Sequence, residues 1–237
     1  MPITKPKDAY SNIANKYDEI YSNYKCQLED SYIKSILKKN NIHKGTILDL
    51  GCGTGTFLDW FGDNPLGYHG IDIAPEMIER AKYKFPEANF KVGDMADIKL
   101  YENDCDSIIC LFSFSYCLKP EVVIKNCYEK LRNGGNLFIV AYTPKWAYSQ
   151  SDVTISNGII VNKLLYTKNF FRLILNGFKI QSIVEFPVFL DLLPQKFHNS
   201  KTICKSLFYL DKLFAKFFNN FGAYVIVHAK KLERLTL

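Results

Sequence analysis

The chain has 237 residues, 48% hydrophobic and 23% charged, enough apolar material for one buried core and too much for a disordered chain. Its net charge of +6 rests on lysine, with arginine only at Arg80, Arg132, Arg172 and Arg234, so no clustered guanidinium groups suggest a nucleic-acid partner and none is expected. Seven cysteines without CxxC or Cys/His ligand spacing read as reduced core thiols, and no metal site is expected.

The opening "MPITKPKDAY" lacks an apolar signal segment, and no apolar run is long enough to span a bilayer, so a cytoplasmic protein is expected. Residues 1–40 read as one or two helices that cover the domain, with Tyr17, Ile20, Tyr21 and Tyr24 on a shared face. From residue 46 onward, β-branched apolar runs alternate with amphipathic ones, the pattern of a mostly parallel sheet wound on both faces.

Seven strands are expected, at 46–50, 67–72, 89–94, 106–112, 136–142, 178–186 and 223–229. Helical spacing fills 55–62, 74–85, 119–135 and 167–178, with Pro75 and Pro120 suited to first turns and Gly134 and Gly177 to the turn past a helix end. Residues 143–166 and 187–221 are insertions on a single domain spanning 1–237. In the second, Ile203, Leu207, Leu210, Phe214, Phe217 and Phe221 recur at three- and four-residue steps, with Lys205, Lys212 and Lys216 elsewhere on the turn, an amphipathic helix.

The chemistry centres on "ILDLGCGTGTF", where Gly51, Gly53 and Gly55 stand between a strand and a helix. Bare backbone there lets a ligand sit against the main chain at the carboxyl edge of the sheet, facing the positive end of the helix. A dinucleotide fingerprint would put its third glycine at position 56, which is Thr56. Asp49 would repel a pyrophosphate and suits an ammonium group. Asp72 ends the second strand, where it can take two ribose hydroxyls or cap the helix behind "APEM". Asp94 ends the third, making three carboxylates at three successive strand tips.

Taken together, "ILDLGCGTGTF", "YHGIDIAPEMIERAK", "NFKVGDMADI" and "KLRNGGNLFIVAYTP" resemble the class I S-adenosylmethionine-dependent methyltransferases over roughly residues 10–186. The resemblance implies a Rossmann-like doubly wound sheet of seven strands, with a cofactor-binding half at 41–142 and an acceptor-side half at 143–237. It implies that Asp49, Gly51, Cys52 and Gly53 hold the methionine part of S-adenosylmethionine. It further implies Asp72 on the ribose, Ile73 and Met95 against adenine, Asp94 on the adenine amino group, and Leu111 and Phe112 flanking the cofactor. Tyr17 and Tyr21 fall where a covering helix would meet it, or they simply pack that helix on the sheet. The chain departs from the usual pattern at "LRNGG", which touches only a turn, and at "SYCL", where many members carry paired histidines.

No obligate base is visible. His43 and His69 belong to the edge of the sheet away from the loop, and the resemblance, which implies an antiparallel last strand, places His228 there too, leaving His198 and Tyr116 as candidates to deprotonate or orient an acceptor; an exposed loop histidine and a packed aromatic are the competing readings. Trp146 and Tyr148 are candidate acceptor-pocket residues. The 203–221 helix, bracketed by two strands, is expected to roof the pocket and so to favour a hydrophobic or bulky small molecule. Left exposed, it would touch a membrane surface or a second subunit, so monomer and homodimer both stay open. The expected activity is methylation of an oxygen or nitrogen on a small molecule. A protein or RNA acceptor is the alternative, and a nicotinamide oxidoreductase a more distant one.

Overall fold

The computed structural model describes residues 3–61, 67–144, 152–154, 159–214, 217 and 221–232. Trp146, Tyr148 and Lys216 lie outside them. The main sheet contains β2 (Ile47–Leu50), β3 (Tyr68–Asp72), β4 (Asn89–Val92), β5 (Cys105–Leu111), β6 (Leu131–Tyr142), β9 (Phe178–Phe186) and β10 (Tyr224–Lys231) in the order β4-β3-β2-β5-β6-β10-β9. Only β10 runs antiparallel to its neighbours, pairing Val225 with Ala141 and with Glu185. All seven expected strands are present.

Side chains alternate between the two faces of the sheet, as the strand period of two requires. Leu48, Ile108, Cys110, Ile139 and Val227 point to one face, where α6 (Pro120–Lys130) and α7 (Lys168–Ile174) cover them with Val123, Ile124 and Phe171. Ile47, Ile109, Phe138, Val140 and Ile226 point to the other. There they meet Ile33 and Leu37 of α3 (Tyr24–Lys39), Phe57 of α4 (Thr56–Phe61), Ile78 of α5 (Pro75–Lys84) and Phe208 of α8 (Lys201–Phe214). Helices on both faces leave the carboxyl ends of β2 to β6 along one open edge, which is where a ligand site forms in such folds. All seven cysteines are free thiols, six of them buried.

Four local expectations need correction. The helix spaced over 119–135 stops at Lys130, because Leu131 turns extended and pairs with Cys105; Gly134, at φ +71°, shapes the irregular start of β6 rather than a helix end. The N-terminal cover is three helices, α1 (Pro6–Ile13), α2 (Tyr17–Ile20) and α3, and Asn23 caps the third by accepting the Cys26 N–H at 3.0 Å. The break between α2 and α3 separates Tyr24, which joins the core beneath α3, from Tyr17 and Ile20, which pack with Tyr10. The third is a small additional sheet: β1 (Ile3–Thr4) pairs in parallel with β8 (Ile160–Asn162), which pairs with β7 (Asp152–Thr154).

The fourth concerns α8. Its inward residues are Cys204, Phe208 and Asp211, so the buried face is turned by about 100°, one residue's step, from the apolar stripe of the sequence. The reason is Asp211, whose carboxylate accepts the N–H groups of Val188 and Phe189, both at 2.7 Å, and of Leu190 at 2.8 Å. With that side buried, Phe208 packs edge-on against Phe186 and Tyr32. Helix α8 does not roof the ligand cavity, and none of its residues lines it.

Candidate active site

A cavity of about 820 Å³ opens at the carboxyl edge of β2 to β6 and contains the glycine loop at one end. Gly51 and Gly53 both adopt positive φ, +73° and +55°. A Cβ at Gly51 would collide with the Ser113 side chain, whereas Gly53 faces open space with only Tyr17 Cε1 near, at 3.9 Å. The loop is braced from β3: the N–H groups of Gly51 and Cys52 donate to the Ile71 carbonyl at 2.7 and 3.0 Å, and Gly53 N–H donates to Asp72 Oδ2 at 2.9 Å. The other Asp72 oxygen accepts Ala74 N–H at 2.9 Å. Asp72 is therefore a brace and a cap, and each oxygen keeps a lone pair for a ligand hydroxyl.

Asp49 is 2% exposed. Its Oδ2 accepts the Tyr68 hydroxyl at 2.8 Å, while Oδ1 is buried with no hydrogen-bond partner among the described residues. Burial pushes this carboxyl up to about 7, against the Tyr68 hydrogen bond, with Asp72 adding to the rise. An orphaned buried carboxylate oxygen costs free energy until a donor reaches it, and a ligand ammonium is the group that suits it.

Asp94, Ile73, Met95, Cys52, Leu111 and Phe112 also line the cavity. Asp94 is exposed and uses Oδ1 to accept Ala96 N–H at 2.8 Å, leaving Oδ2 available. Phe112 has a left-handed backbone, φ +64°, and stands edge-on to Tyr224 at 4.9 Å.

The N-terminal helices close the site. Thr54 of the loop donates its hydroxyl to Asp18 of α2 at 2.5 Å. Tyr17 and Tyr21 meet as a tilted pair at 4.8 Å, and Tyr10 links them to Tyr116 with ring centroids 6.2 Å from Tyr17 and 5.5 Å from Tyr116. Burial raises the phenols of all four, so they stay protonated at neutral pH and act as donors.

His198 does not join this group. It does not line the cavity; its Nε2 is 2.9 Å from the Leu193 carbonyl, and its own carbonyl accepts Lys25 N–H at 2.9 Å. The ring braces its own loop while the backbone carbonyl ties that loop to α3, and His198 is removed as a candidate base. The other three histidines also stay outside the cavity.

Several lining residues escaped the sequence reading. Lys25 Nζ lies 2.8 Å from Glu29 and 3.2 Å from Asp191; burial works to lower it, yet the two carboxylates outweigh burial and raise it. Lys163, 7% exposed, sets its Nζ 3.8 Å from the centre of the Tyr142 ring. Burial pulls its amine down to about 8, with Asp191 partly opposing. Backbone bonds from Leu164 N–H to Ser115 O and from Tyr166 N–H to Tyr142 O seat this segment against β6. The available signal was a single charge inside the apolar run "IIVNKLLY".

A family model described as a methyltransferase domain matches residues 48–139, the stretch holding the glycine loop and the Asp72 and Asp94 strand ends. Over these residues the chain is a methyltransferase domain, similar to those of the class I S-adenosylmethionine-dependent methyltransferases. Among similar proteins, the carboxy-S-adenosyl-L-methionine synthase of Campylobacter fetus is 27% identical over 65% of this chain and 68% of its own. A malonyl-[acyl-carrier protein] O-methyltransferase of Paenibacillus is 28% identical over 55% and 51%. The chain spans from a quarter to about two thirds of the length of these and similar relatives. In fold, a methyltransferase bound to the Trm112 activator of Haloferax volcanii superposes with a TM-score of 0.65 at 17% identity, covering 98% of this chain and 99% of that one.

S-adenosylmethionine is the family's cofactor, and the Asp49 oxygen, the open space at Gly53 and the spare lone pairs of Asp72 fit its ammonium, backbone-facing and ribose groups. Asp72→Ala should weaken binding of S-adenosylhomocysteine, the demethylated product, by about 1.5 to 3 kcal/mol through lost charge-assisted hydrogen bonds. Calorimetric titration checks this, and equal affinity in variant and wild type would remove Asp72 from the ligand site. Tyr17→Phe should cost less than about 1 kcal/mol in the same titration if that residue packs rather than bonds.

Proposed function

We propose that this methyltransferase moves a methyl group from S-adenosylmethionine to an oxygen or nitrogen of a small molecule held between the glycine loop and the Tyr116, Tyr142 and Lys163 end of the cavity. The observation that carries the reading is enclosure. Residues 3–7, Tyr10, Tyr17 and Tyr21 line one cavity together with the loop, and its volume of about 820 Å³ is within the range of small-molecule sites. A folded macromolecule would have difficulty reaching past them.

The cofactor supplies an electrophilic methyl on a sulfonium. In this reading Asp49, Gly51 and Gly53 hold its methionine part, Asp72 its ribose, and Asp94 with Ile73 and Met95 its adenine. Alignment of acceptor and methyl supplies much of the rate, so the rings of Tyr10, Tyr17, Tyr21 and Tyr116 serve to exclude water and orient the acceptor. An acceptor that keeps its proton needs a base, and Lys163 replaces His198 in that role. Its amine turns from ammonium to neutral as pH rises through about 8, so turnover of such an acceptor should climb between pH 7 and 9.

The test begins with S-adenosylhomocysteine binding, then methyl label from S-adenosylmethionine offered with a panel of small phenols, carboxylic acids and amines. Label in a small molecule is expected; label confined to protein or RNA overturns the small-molecule reading. Lys163→Met should cut turnover about a hundredfold and remove the alkaline rise, with S-adenosylhomocysteine affinity unchanged. A variant that keeps the rise would exclude Lys163 as the base.

A further inference from the structure

We propose that α8 docks this protein on an anionic lipid surface. The Asp211 anchor decides which side of the helix points inward, and it leaves a row of large apolar side chains in water. Ile203, Leu210 and Leu213 are exposed, Leu213 by 70%, and at about 100° per residue they fall within a quarter turn of one another, with only Ser206 among them. Tyr209, 66% exposed, borders this stripe, and Phe217, 79% exposed, follows the helix.

Charge supplies the complement. Lys201, Lys205 and Lys212 are all exposed and lie within about 40° of one another on the flank beyond Tyr209. The only acidic residue of α8 is Asp211, buried with both oxygens on backbone N–H groups. The outward face is thus apolar and cationic with no exposed acid, the arrangement that lays an apolar row at the headgroup boundary while lysines reach lipid phosphates and carboxylates. The chain's net charge of +6 favours the same surface.

A second copy of the chain fits the face less well. A helix of 14 residues is about 21 Å long, so a stripe about 10 Å wide offers about 200 Å², against about 800 Å² per partner in a stable dimer. Among the described residues no helix is long and apolar enough to cross a membrane, so the contact is peripheral.

The test is sedimentation of the full chain with vesicles of phosphatidylcholine, with and without phosphatidylserine. Wild type should partition at least tenfold more strongly onto the phosphatidylserine vesicles and release with salt, each lysine contributing about fivefold. Leu210→Glu with Leu213→Glu should lose at least tenfold in that partition, while thermal melting stays unchanged because both positions are exposed. Lys205→Glu with Lys212→Glu should remove the preference for phosphatidylserine. The proposal is overturned if wild type stays in the supernatant, or if the leucine variant partitions equally. It is overturned too if the leucine variant abolishes a dimer or a complex with another protein while vesicle binding is absent, since the face would then belong to that partner.

Discussion

Asp211→Ala should lower the unfolding free energy by about 3 to 5 kcal/mol. The wild-type carboxylate is buried and accepts three consecutive backbone N–H groups, from Val188, Phe189 and Leu190. Alanine leaves those donors without an acceptor, and each orphaned buried group costs about 1 to 3 kcal/mol, less whatever water recovers. In a domain of this size, that is a fall in Tm of about 10 °C, readable by thermal melting. Asp211→Asn keeps one acceptor oxygen and should lose about half as much. A loss below about 1 kcal/mol for alanine would mean that water replaces the carboxylate. The effect should also reach the cavity, because Leu190 precedes Asp191, whose carboxylate meets Lys25 in the cavity wall.

Binding of S-adenosylhomocysteine should weaken by up to about tenfold per pH unit below pH 7, and Asp49→Asn should flatten that profile. The Asp49 carboxyl titrates near 7 in the free protein, well above the usual carboxylate range, because burial disfavours its charge. A ligand ammonium favours the ionised form, so below pH 7 binding must expel a proton, whereas above it the carboxylate is ready. Calorimetry in two buffers of different ionisation enthalpy would read that proton directly. At pH 8 the asparagine variant should bind about 2 to 3 kcal/mol more weakly, since a charge-assisted contact is lost.

The same shift sets a stability trend. Because the folded pKa of Asp49 exceeds its unfolded value, ionising it costs the free protein stability as pH rises from about 4 through about 7. Asp49→Asn should therefore gain stability relative to wild type at pH 8 while losing ligand. Equal melting of the two proteins from pH 5 to pH 8, together with a pH-independent affinity in wild type, would mean that Asp49 is ionised throughout and already paired.

Much of this molecule can be read from local pattern. Continuous β-branched apolar runs located all seven strands, because a strand buried on both faces must be apolar along its length. The glycine loop and the carboxylates Asp49, Asp72 and Asp94 were legible for a related reason: they sit at strand ends, and parallel strands put successive carboxyl ends on one edge. The antiparallel last strand was expected from the resemblance rather than from any periodicity.

What local pattern could not supply was set by contacts between distant segments. The apolar stripe of α8 was visible, but whether it faced inward depended on three N–H groups 21 to 23 residues earlier that needed the Asp211 carboxylate. The pairing of Ile3 with Ile160 involves a strand of two residues, too short for any period to show. His198 looked available until its ring met the Leu193 carbonyl, and Lys163 looked like one more surface lysine until β8 carried it against Tyr142. The sequence by itself determined the sheet, its loop and the carboxylates at its edge, because backbone geometry repeats locally. Only the tertiary structure decided which face of α8 is buried and which side chains line and cover the cavity, because burial of a side chain is a property of its neighbours.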